Sequence, residues 1–439
     1  MEILRGPSSW PSVLLARAGR YDPDAGLPEA EAVGAWSVWR RAVASMSPAS
    51  VIRVVAESGL RGRGGAGYPT GAKWRACAEA PADVRYVVAN GYEADPGALV
   101  DRTLMEIDPH AVVEGLALAA FAVGAREARL AVKADYRLAI RRLRTVIRTA
   151  EEQGYLGSNA MNAGFDLHIT VHPVQGAFVL GEETALLRAL ENKRLQPDQR
   201  PPYPTAVGLW GRPTVVNNVE TLAAVPAIVD YGGAAYRGLG VADAPGTTLV
   251  QVSGAVRRPG VAEVPLGTTL REALQVAGGG RGRIKAALMG GPSGGFLPPA
   301  SLDTPILYGP LTEAGAIMGS GTLLFADESA CIVDLVNLMQ RYLSDEACGK
   351  TIPCRIGTRR LCEITDRFVT GRPRPTDPQL LLDLASDVRD GALCQLEYTA
   401  PNPLLSGVRY FGQEFEDHIL RSTCSAGVCR PLRVAAATS

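Results

Sequence analysis

Two cysteines in the last quarter of the chain have a spacing that could bind a metal centre. In "DEACGKTIPCRIGTRR", Cys348 and Cys354 are separated by five residues. A third cysteine midway would complete a C-x-x-C-x-x-C frame, but Thr351 stands at that position. Iron–sulfur centres require soft thiolate ligands, and a threonine hydroxyl is a poor substitute. The stretch is therefore a metal site, an altered metal site or a chance spacing.

A glycine run, Gly62–Gly67 in "GLRGRGGAGYPTGAKW", satisfies G-x-G-x-x-G. A helix is predicted before this loop and a strand after it, which reverses the order of a dinucleotide-binding turn, so the motif alone is weak. Arg61, Arg63 and Lys73 accompany it. Because N–H groups of a glycine run can approach an anion that nearby cations neutralise, the loop is either a phosphate cradle or a flexible surface turn.

Two acidic loops follow predicted strands, where α/β sheets bind their ligands. One is Asn90–Arg102, after "RYVVA", and the other carries Glu182 and Glu183 at the start of a helix. These glutamates could simply cap the helix, or they could accept hydrogen bonds from ribose hydroxyls. A cationic loop opposite acidic loops has the polarity that a nucleotide or a flavin needs.

The elements that position these loops alternate between helix and strand. Ser47 and Asp108 each precede a proline, which predicts two N-capped helices. The segments "VRYVVAN", "EARLAVKA" and "DLHITVHPV" predict strands, so we expect a parallel α/β sheet. On the last strand, His168 and His172 share one face without a third ligand in view, which favours an ordinary solvent-side pair over a metal site.

The pattern changes twice further along the chain. After the α/β segment, two strands, a helix beginning near Thr268 and a further strand predict a small β-grasp module, and helices follow from Ser329. We expect three domains: an α/β ligand-binding domain over residues 1–240, a β-grasp domain of the soluble-ligand-binding type over 245–325, and a helical domain over 326–439 that holds most of the cysteines.

Composition limits the class of protein. A chain of 439 residues exceeds the size of one hydrophobic core. Its apolar fraction of 46% and charged fraction of 21% are those of a soluble globular protein, and its zero net charge provides no general attraction for nucleic acid. Without a signal peptide or a long apolar span, a cytoplasmic protein is expected, in which cysteines are thiols or ligands.

Five strings together resemble one family. They are "GLRGRGGAGYPTGAKW", "GEETALLRALE", "GLWGRPTVVNNVETL", "CGKTIPCRIGT" and "LCQLEYTAPNPLLSGVRYF". In this order, from about Ser47 to Phe411, they resemble the NADH-oxidising flavoprotein subunit of respiratory complex I and the diaphorase subunits of NAD-linked hydrogenases and formate dehydrogenases.

The resemblance implies a Rossmann-like FMN domain, a β-grasp module and a helical bundle with one [4Fe–4S] cluster. NADH would deliver a hydride to FMN, which would pass electrons singly to the cluster and on to a partner. The implied partners are a thioredoxin-like 2Fe–2S subunit, other electron-transfer subunits or a ferredoxin. The implied location is the cytoplasm, with attachment to the inner face of the membrane only through those partners.

The resemblance also implies the site residues. Glu93 and Glu182 would serve catalysis, and Tyr68 and Tyr203 would bracket adenine. The complete cofactor-binding set is Gly62, Arg63, Gly64, Gly65, Ala66, Gly67, Tyr68, Lys73, Asn90, Glu93, Gly181, Glu182, Glu183, Tyr203, Asn217, Asn218 and Thr221.

Departures from the family pattern concern the nucleotide more than the flavin. They are Leu195 for a glycine, Asp198 for an arginine, Ala76 for an aromatic residue, Tyr92 for an acidic residue and Leu180 for a cysteine. Asp198 would repel nucleotide phosphates if it faced the site, so FMN binding is better supported than NADH specificity. The alternative function is an FMN electron-transfer module that does not use NADH and serves a ferredoxin or another dehydrogenase.

The family's cluster ligands would be Cys348, Cys354 and Cys394, with Thr351 in place of the remaining cysteine. The cluster could keep three cysteines with a non-cysteine or solvent ligand on the fourth iron, become [3Fe–4S], or be absent; we expect some cluster to be retained. Cys362 is expected to turn into the core. Cys77 and Cys331 are expected to be small buried side chains, and "CSAGVC" is a disulfide-capable remnant, a ligand pair shared with a partner, or without a role.

Overall fold

The first domain is built on a five-stranded sheet. The computed structural model describes residues 2–434. The strands lie in the order Gly157–Ala160, Phe165–Val174, Glu127–Lys133, Tyr86–Gly91 and Thr214–Asn218. All neighbours are parallel except the first pair. The carboxyl ends of the four parallel strands therefore lie along one edge, which confirms the predicted α/β architecture.

Helices cover this sheet, and their starts are set by local capping. Ser47 accepts a hydrogen bond from the Ser50 N–H, and Asp108 accepts one from Ala111, so both predicted caps are confirmed. The principal helices of the domain are Leu27–Ala32, Ser37–Ser45, Pro48–Glu57, Thr70–Glu79, Val100–Ile107, Pro109–Val123, Arg137–Glu152, Glu183–Leu190, Val219–Ala223, Val225–Tyr231 and Gly233–Arg237.

The second domain is the predicted β-grasp module, with a six-stranded mixed sheet. Its strands lie in the order Glu2–Leu4, Gly260–Pro265, Thr247–Gly254, Thr322–Asp327, Ile284–Met289 and Gly295–Leu297. The strand Glu2–Leu4 pairs here, although it lies within residues 1–240. One face packs on the helices Leu270–Val276 and Tyr308–Glu313, and residues of the other face join the core of the helical domain.

The third domain is a helical bundle. Its helices are Ile332–Asp345, Thr358–Val369, Asp377–Asp390, Gln395–Thr399 and Asn402–Leu420, with a π-helical turn at Pro353–Gly357. A short parallel pair, Thr423–Cys424 with Arg433–Val434, follows the last helix. Within residues 2–434, no helix combines the length and apolar character that a membrane crossing needs.

Candidate functional site

The glycine loop lies between the helices Pro48–Glu57 and Thr70–Glu79, and its shape requires glycine. Gly65 and Gly67 have φ values of +100° and +63°. A Cβ added to Gly67 would lie 2.6 Å from the ring of Tyr308, and one on Gly65 would lie 3.2 Å from the Gly319 carbonyl oxygen. The Tyr308 hydroxyl also donates to the Gly62 carbonyl at 2.7 Å. The second domain therefore packs directly against the loop.

Arg63 anchors the glycine loop through hydrogen bonds of its backbone and its side chain. Its backbone N–H donates to Thr221 Oγ1 at 2.8 Å. Its buried guanidinium donates to the carbonyls of Thr247 at 3.1 Å and Pro245 at 3.0 Å, in the second domain. The side chain of Arg63 is thus committed to the domain junction, and its backbone N–H is committed to Thr221.

A network of two cations and two carboxylates joins the glycine loop to the second acidic loop. Lys73 Nζ lies 2.9 Å from Glu183 and donates to the Val216 carbonyl at 3.1 Å. Arg200 reaches Glu183 at 2.9 Å and Glu182 at 3.1 Å. Glu182 also caps the helix Glu183–Leu190 by accepting from the Ala185 N–H. Burial raises the pKa of Glu182, while these hydrogen bonds and Arg200 oppose the rise. Glu182 thus caps the helix and both glutamates pair with Arg200, while hydrogen bonds to ribose hydroxyls stay a prediction.

The first acidic loop folds its carboxylates inward. Glu93 is 4% exposed and has a φ of +48°. It accepts hydrogen bonds from the N–H groups of Asp101 and Arg102 and from the Tyr136 hydroxyl, all at 2.8–3.1 Å. Burial raises its pKa. Asn90 donates to the Leu180 carbonyl at 3.3 Å. This hydrogen bond links the loop to the segment containing Gly181.

The strand that ends at Asn218 contributes three predicted residues. Asn217 accepts from the Trp74 indole N–H at 2.8 Å. Asn218 caps the next helix and donates to Asp101 at 2.8 Å, and a Cβ on Gly64 would touch its side chain at 3.3 Å. Thr221 accepts from the backbone of the glycine loop at Arg63. The structure therefore brings Asn217, Asn218 and Thr221 together with the glycine loop.

Buried acids that sequence reasoning missed surround these residues. Asp95, Asp101 and Glu220 are each less than 10% exposed. Glu220 accepts from the Thr248 hydroxyl and the Leu249 N–H, in the second domain. Burial raises the pKa of Asp95 to about 6 and that of Glu220 to about 7. For Asp95 and Asp101 the density of acids in "YEADPGALVD" was the available signal, and Glu220 had none. Asp95 and Glu220 find their partners only in the second domain.

The two tyrosines predicted to bracket adenine both carry exposed rings. Tyr68 is 55% exposed and Tyr203 is 58% exposed, and the Lys73 ammonium lies 5.9 Å from the centre of the Tyr68 ring. Exposed aromatic rings of this kind are free to stack on a planar ligand. Ala76 is exposed on the same helix as Lys73 and presents no ring.

The departures from the family pattern are accommodated locally. Tyr92, Leu180 and Leu195 belong to one hydrophobic cluster beneath the acidic loops. Asp198 is paired, at 2.8 Å with Arg188 and at 3.8 Å with Lys350. Since two cations neutralise it, the repulsion expected from an unpaired Asp198 does not arise.

In the altered cysteine frame, Thr351 is hydrogen-bonded to a carboxylate. The Thr351 hydroxyl donates to Glu397 at 2.6 Å, and Glu397 also accepts from the Leu393 N–H at 2.8 Å. Cys348, Cys354 and Cys394 are half-buried thiols. Burial first, and then the charge of Glu397, raise the pKa of Cys354 to about 12. Burial likewise raises the pKa of Cys394 to about 11. The three predicted ligands and the Thr351–Glu397 pair thus share one site.

This site adjoins the acidic loop of the first domain. Phe178 packs with Leu343 and Ala400, and its N–H donates to Glu346 at 2.7 Å. Lys350, between Cys348 and Cys354, donates to the Pro197 carbonyl at 2.5 Å. The segment that carries Glu182 is therefore in direct contact with the segments that carry the cysteines.

The remaining cysteines divide into three cases. Cys77 is completely buried in the first core, as expected. Cys362 is half-buried beside Asp366 rather than in the core, because its helix turns that position toward a polar groove. The third case is a buried group in which Cys331 meets His418, Cys424 and Cys429. Their separation along the chain hides this group, although His418 and the Cys-x4-Cys pair lie close in sequence.

The glycine loop and the two acidic loops adjoin a group of cysteine thiols. This arrangement is that of a redox flavoprotein. Three family models match the chain in order: the Nuo51 FMN-binding domain over residues 55–227, the SLBB domain over 249–297, and the NADH-ubiquinone oxidoreductase-F iron–sulfur binding region over 334–418.

Known proteins with the same organisation are similar over nearly the whole chain. The NADP-reducing hydrogenase subunit HndC of Solidesulfovibrio fructosivorans is 44% identical over 393 residues, covering 89% of this chain and 80% of the relative. In Rhizobium meliloti, an NADH-quinone oxidoreductase subunit is 40% identical over 397 residues, covering 90% of this chain and 94% of the relative.

A solved structure of an NAD+-reducing [NiFe]-hydrogenase in the H2-reduced state contains a similar chain, with a TM-score of 0.82 and 33% identity. That match covers 93% of this chain and 67% of the other. The chain belongs to the family of FMN- and iron–sulfur-binding flavoprotein subunits of NADH-quinone oxidoreductases and NAD-linked hydrogenases. The resemblance seen in the sequence is confirmed.

Proposed function

We propose that this chain binds FMN at the glycine loop, oxidises NADH, and delivers electrons through an iron–sulfur cluster to a partner subunit. The observation that carries the proposal is the convergence of the glycine loop, Lys73 and both acidic loops at the carboxyl edge of the parallel sheet. Ligands of open α/β sheets bind at this edge.

The residues present fit FMN. A Cβ at Gly67 would collide with the Tyr308 ring and one at Gly65 would crowd Gly319, so these glycines let the second domain pack against one side of the loop. A phosphate would bind to backbone N–H groups on the other side. Lys73 supplies a cation, and Asn90, Glu182 and Glu183 supply groups for hydroxyls and ring N–H groups. When bound, FMN supplies the conversion of a two-electron donor into one-electron transfers.

NADH is supported as the donor by the ion pairs of Asp198 and by the exposed rings of Tyr68 and Tyr203. Because Asp198 is paired with Arg188 and Lys350, it presents no unpaired anion to the nucleotide phosphates. The two rings provide faces for the adenine. Glu93 and Glu182 act on the reaction by positioning: Glu93 fixes the start of the helix Val100–Ile107, and Glu182 orients Arg200.

We further propose that Cys348, Cys354 and Cys394 hold the cluster and that Glu397 supplies an oxygen donor at the remaining position. Three thiols fit an iron–sulfur centre, and Glu397 is the carboxylate hydrogen-bonded to the residue that replaces the fourth thiol. The Phe178 segment contacts the helical domain. This contact favours a short distance for electron transfer between the flavin and the cluster.

The partner is expected to be a small electron-transfer subunit, such as a thioredoxin-like 2Fe–2S protein, or a ferredoxin. The relatives named above are subunits, which supports function within a complex. Any association with a membrane would then be peripheral and mediated by other subunits.

Anaerobic purification after reconstitution tests the proposal. We expect flavin absorbance, iron and labile sulfide, and bleaching of the flavin by NADH. NADPH serves as the comparison donor, because one similar protein is named for NADP. Flavin without bleaching by NADH would select the alternative FMN module, and protein without flavin would refute the proposal.

A further inference from the structure

Four potential metal ligands meet in the helical domain, apart from the three half-buried cysteines assigned to the cluster. The ligand atoms of Cys331, His418, Cys424 and Cys429 all lie within 4.8 Å of one another, and all four residues are buried. His418 Nε2 lies 3.4 Å from the sulfurs of both Cys331 and Cys429, and these sulfurs are 3.9 Å apart.

These separations match a tetrahedral zinc site. Zinc–sulfur bonds of about 2.3 Å and zinc–nitrogen bonds of about 2.0 Å place tetrahedral ligands about 3.8 Å apart for two sulfurs and about 3.5 Å apart for sulfur and nitrogen. The sulfur atoms are too far apart for a disulfide, whose bond is about 2.05 Å, and the three cysteines are free of disulfides.

Surrounding groups prepare His418 and Cys331 to bind a cation. His418 Nδ1 lies 2.7 Å from the Glu414 carbonyl oxygen, which can only accept, so Nδ1 carries the proton and Nε2 presents its lone pair to the thiols. The Glu414 carboxylate is itself held by Lys285 at 2.8 Å and by the Ile332 N–H at 3.1 Å. Cys331 caps the helix Ile332–Asp345, where the helix dipole favours a thiolate.

We propose that Cys331, His418, Cys424 and Cys429 form a structural zinc site that fastens the segment after the last helix to the bundle. Four protein ligands leave no open position for substrate, which is the arrangement of structural rather than catalytic zinc. Cys331 lies at the start of the bundle and His418 near its last helical turn, so one ion joins both ends of the domain to the segment Ser422–Val434. This site is independent of the proposed redox function.

Metal analysis of the full chain tests this proposal. Protein produced with zinc should contain about one zinc per chain in addition to its iron. The double variant C424S/C429S should lose most of this zinc, whereas C362S, in the same domain, should retain it. C394S should lose iron and keep zinc, which separates this site from the cluster and from the proposed function.

Two further measurements keep the test independent of folding defects in the variants. Wild-type protein produced with cobalt should show the ligand-field absorption of a tetrahedral thiolate site. Removing zinc with a chelator should increase tryptic cleavage after the exposed Arg421 several-fold, and adding zinc back should restore resistance. Zinc-free protein in which the three thiols of Cys331, Cys424 and Cys429 are all titratable, a disulfide among these cysteines, or iron bound in this site would overturn the proposal.

Discussion

The Thr351 hydroxyl donates a hydrogen bond of 2.6 Å to the carboxylate of Glu397, at the point where a third cysteine would complete the frame. Glu397 is 4% exposed and lies three residues after Cys394. A buried carboxylate needs partners, and this one has a hydroxyl and a backbone N–H. The loss of a thiol is thus matched by an acid in the same place, which favours an altered cluster site over a chance spacing.

Replacing Thr351 with cysteine should strengthen cluster binding, because it supplies the fourth soft ligand. The reconstituted T351C protein should hold about four irons and four sulfides per chain and should lose iron in air more slowly than wild type. T351S is the matched control, since its hydroxyl can keep the bond to Glu397. Equal rates of iron loss in T351C and wild type would argue against a cluster at this position.

Replacing Glu397 with glutamine tests the carboxylate as an iron ligand. The amide oxygen can still accept from the Leu393 N–H, and the Thr351 hydroxyl can rotate to accept from the amide NH2, but the amide lacks the charge that binds iron. E397Q should therefore fold normally, with a lower ratio of iron to labile sulfide than wild type. The double variant T351C/E397Q should recover the iron. An unchanged ratio in E397Q would assign the fourth ligand to solvent or to another residue.

Sequence reasoning predicted the cluster loop from the spacing of Cys348 and Cys354 and the glycine loop from its motif, whereas Cys394 followed only from the family resemblance. It could not place Arg63. A cation beside glycines predicts an anion contact, yet its guanidinium is used by carbonyls of Pro245 and Thr247. Those carbonyls become neighbours of Arg63 only when the second domain packs against the first. The local sequence does not predict that packing.

Replacing Lys73 with methionine should weaken FMN binding. The change removes the cation that bridges the helix after the glycine loop to Glu183, and it leaves Glu183 without that charge. Loss of one charge-assisted hydrogen bond should raise the dissociation constant for FMN roughly 10- to 100-fold. Fluorescence titration of the apoprotein measures it. K193M is the matched control, because Lys193 is an exposed lysine that pairs with a glutamate, Glu191, in the same domain.

Replacing Gly67 with alanine should disrupt the cradle. A Cβ there meets the Tyr308 ring at 2.6 Å, and the φ of +63° is unfavourable for alanine. We expect lower thermal stability, by about 1–3 kcal/mol, and weaker FMN binding. G62A is the control for stability, since its Cβ would meet only the Tyr68 backbone, at 3.6 Å from the carbonyl oxygen, an ordinary contact. Because Gly62 belongs to the predicted cofactor-binding set, G309A is the control for FMN binding: Gly309 is next to Tyr308, and a Cβ there would meet nothing within 4 Å. If G67A and G309A bound FMN equally, the cradle would not depend on this geometry.

The buried metal-ligand group shows a different limit of sequence reasoning. The sequence predicts a small buried side chain at Cys331, and the residue is buried, at 2% exposure. Its partners His418 and Cys429, however, follow 87 and 98 positions later. Only the return of the last helix brings Cys331 to them, so the local spacing of His418, Cys424 and Cys429 could not have predicted the fourth member.

Glu220 should make the stability of the protein depend on pH. Burial raises its pKa from 4.5 to about 7, so the folded state binds the proton more tightly than the unfolded state. The stabilisation is complete below pH 4.5 and is lost as the pH rises through 7, by up to about 3 kcal/mol. The neighbouring Arg63 opposes this loss, because it favours the charged form.

The variant E220Q removes this titration while keeping an acceptor for Thr248 and Leu249. The thermal midpoints of E220Q and wild type are measured from pH 5 to pH 8. The midpoint of E220Q should increase relative to that of wild type as the pH rises. D230N, at an exposed pair with Arg41 in the same domain, is the control and should show no such trend. A constant difference between E220Q and wild type across this range would mean that Glu220 is ionised throughout, with Arg63 compensating fully for its burial.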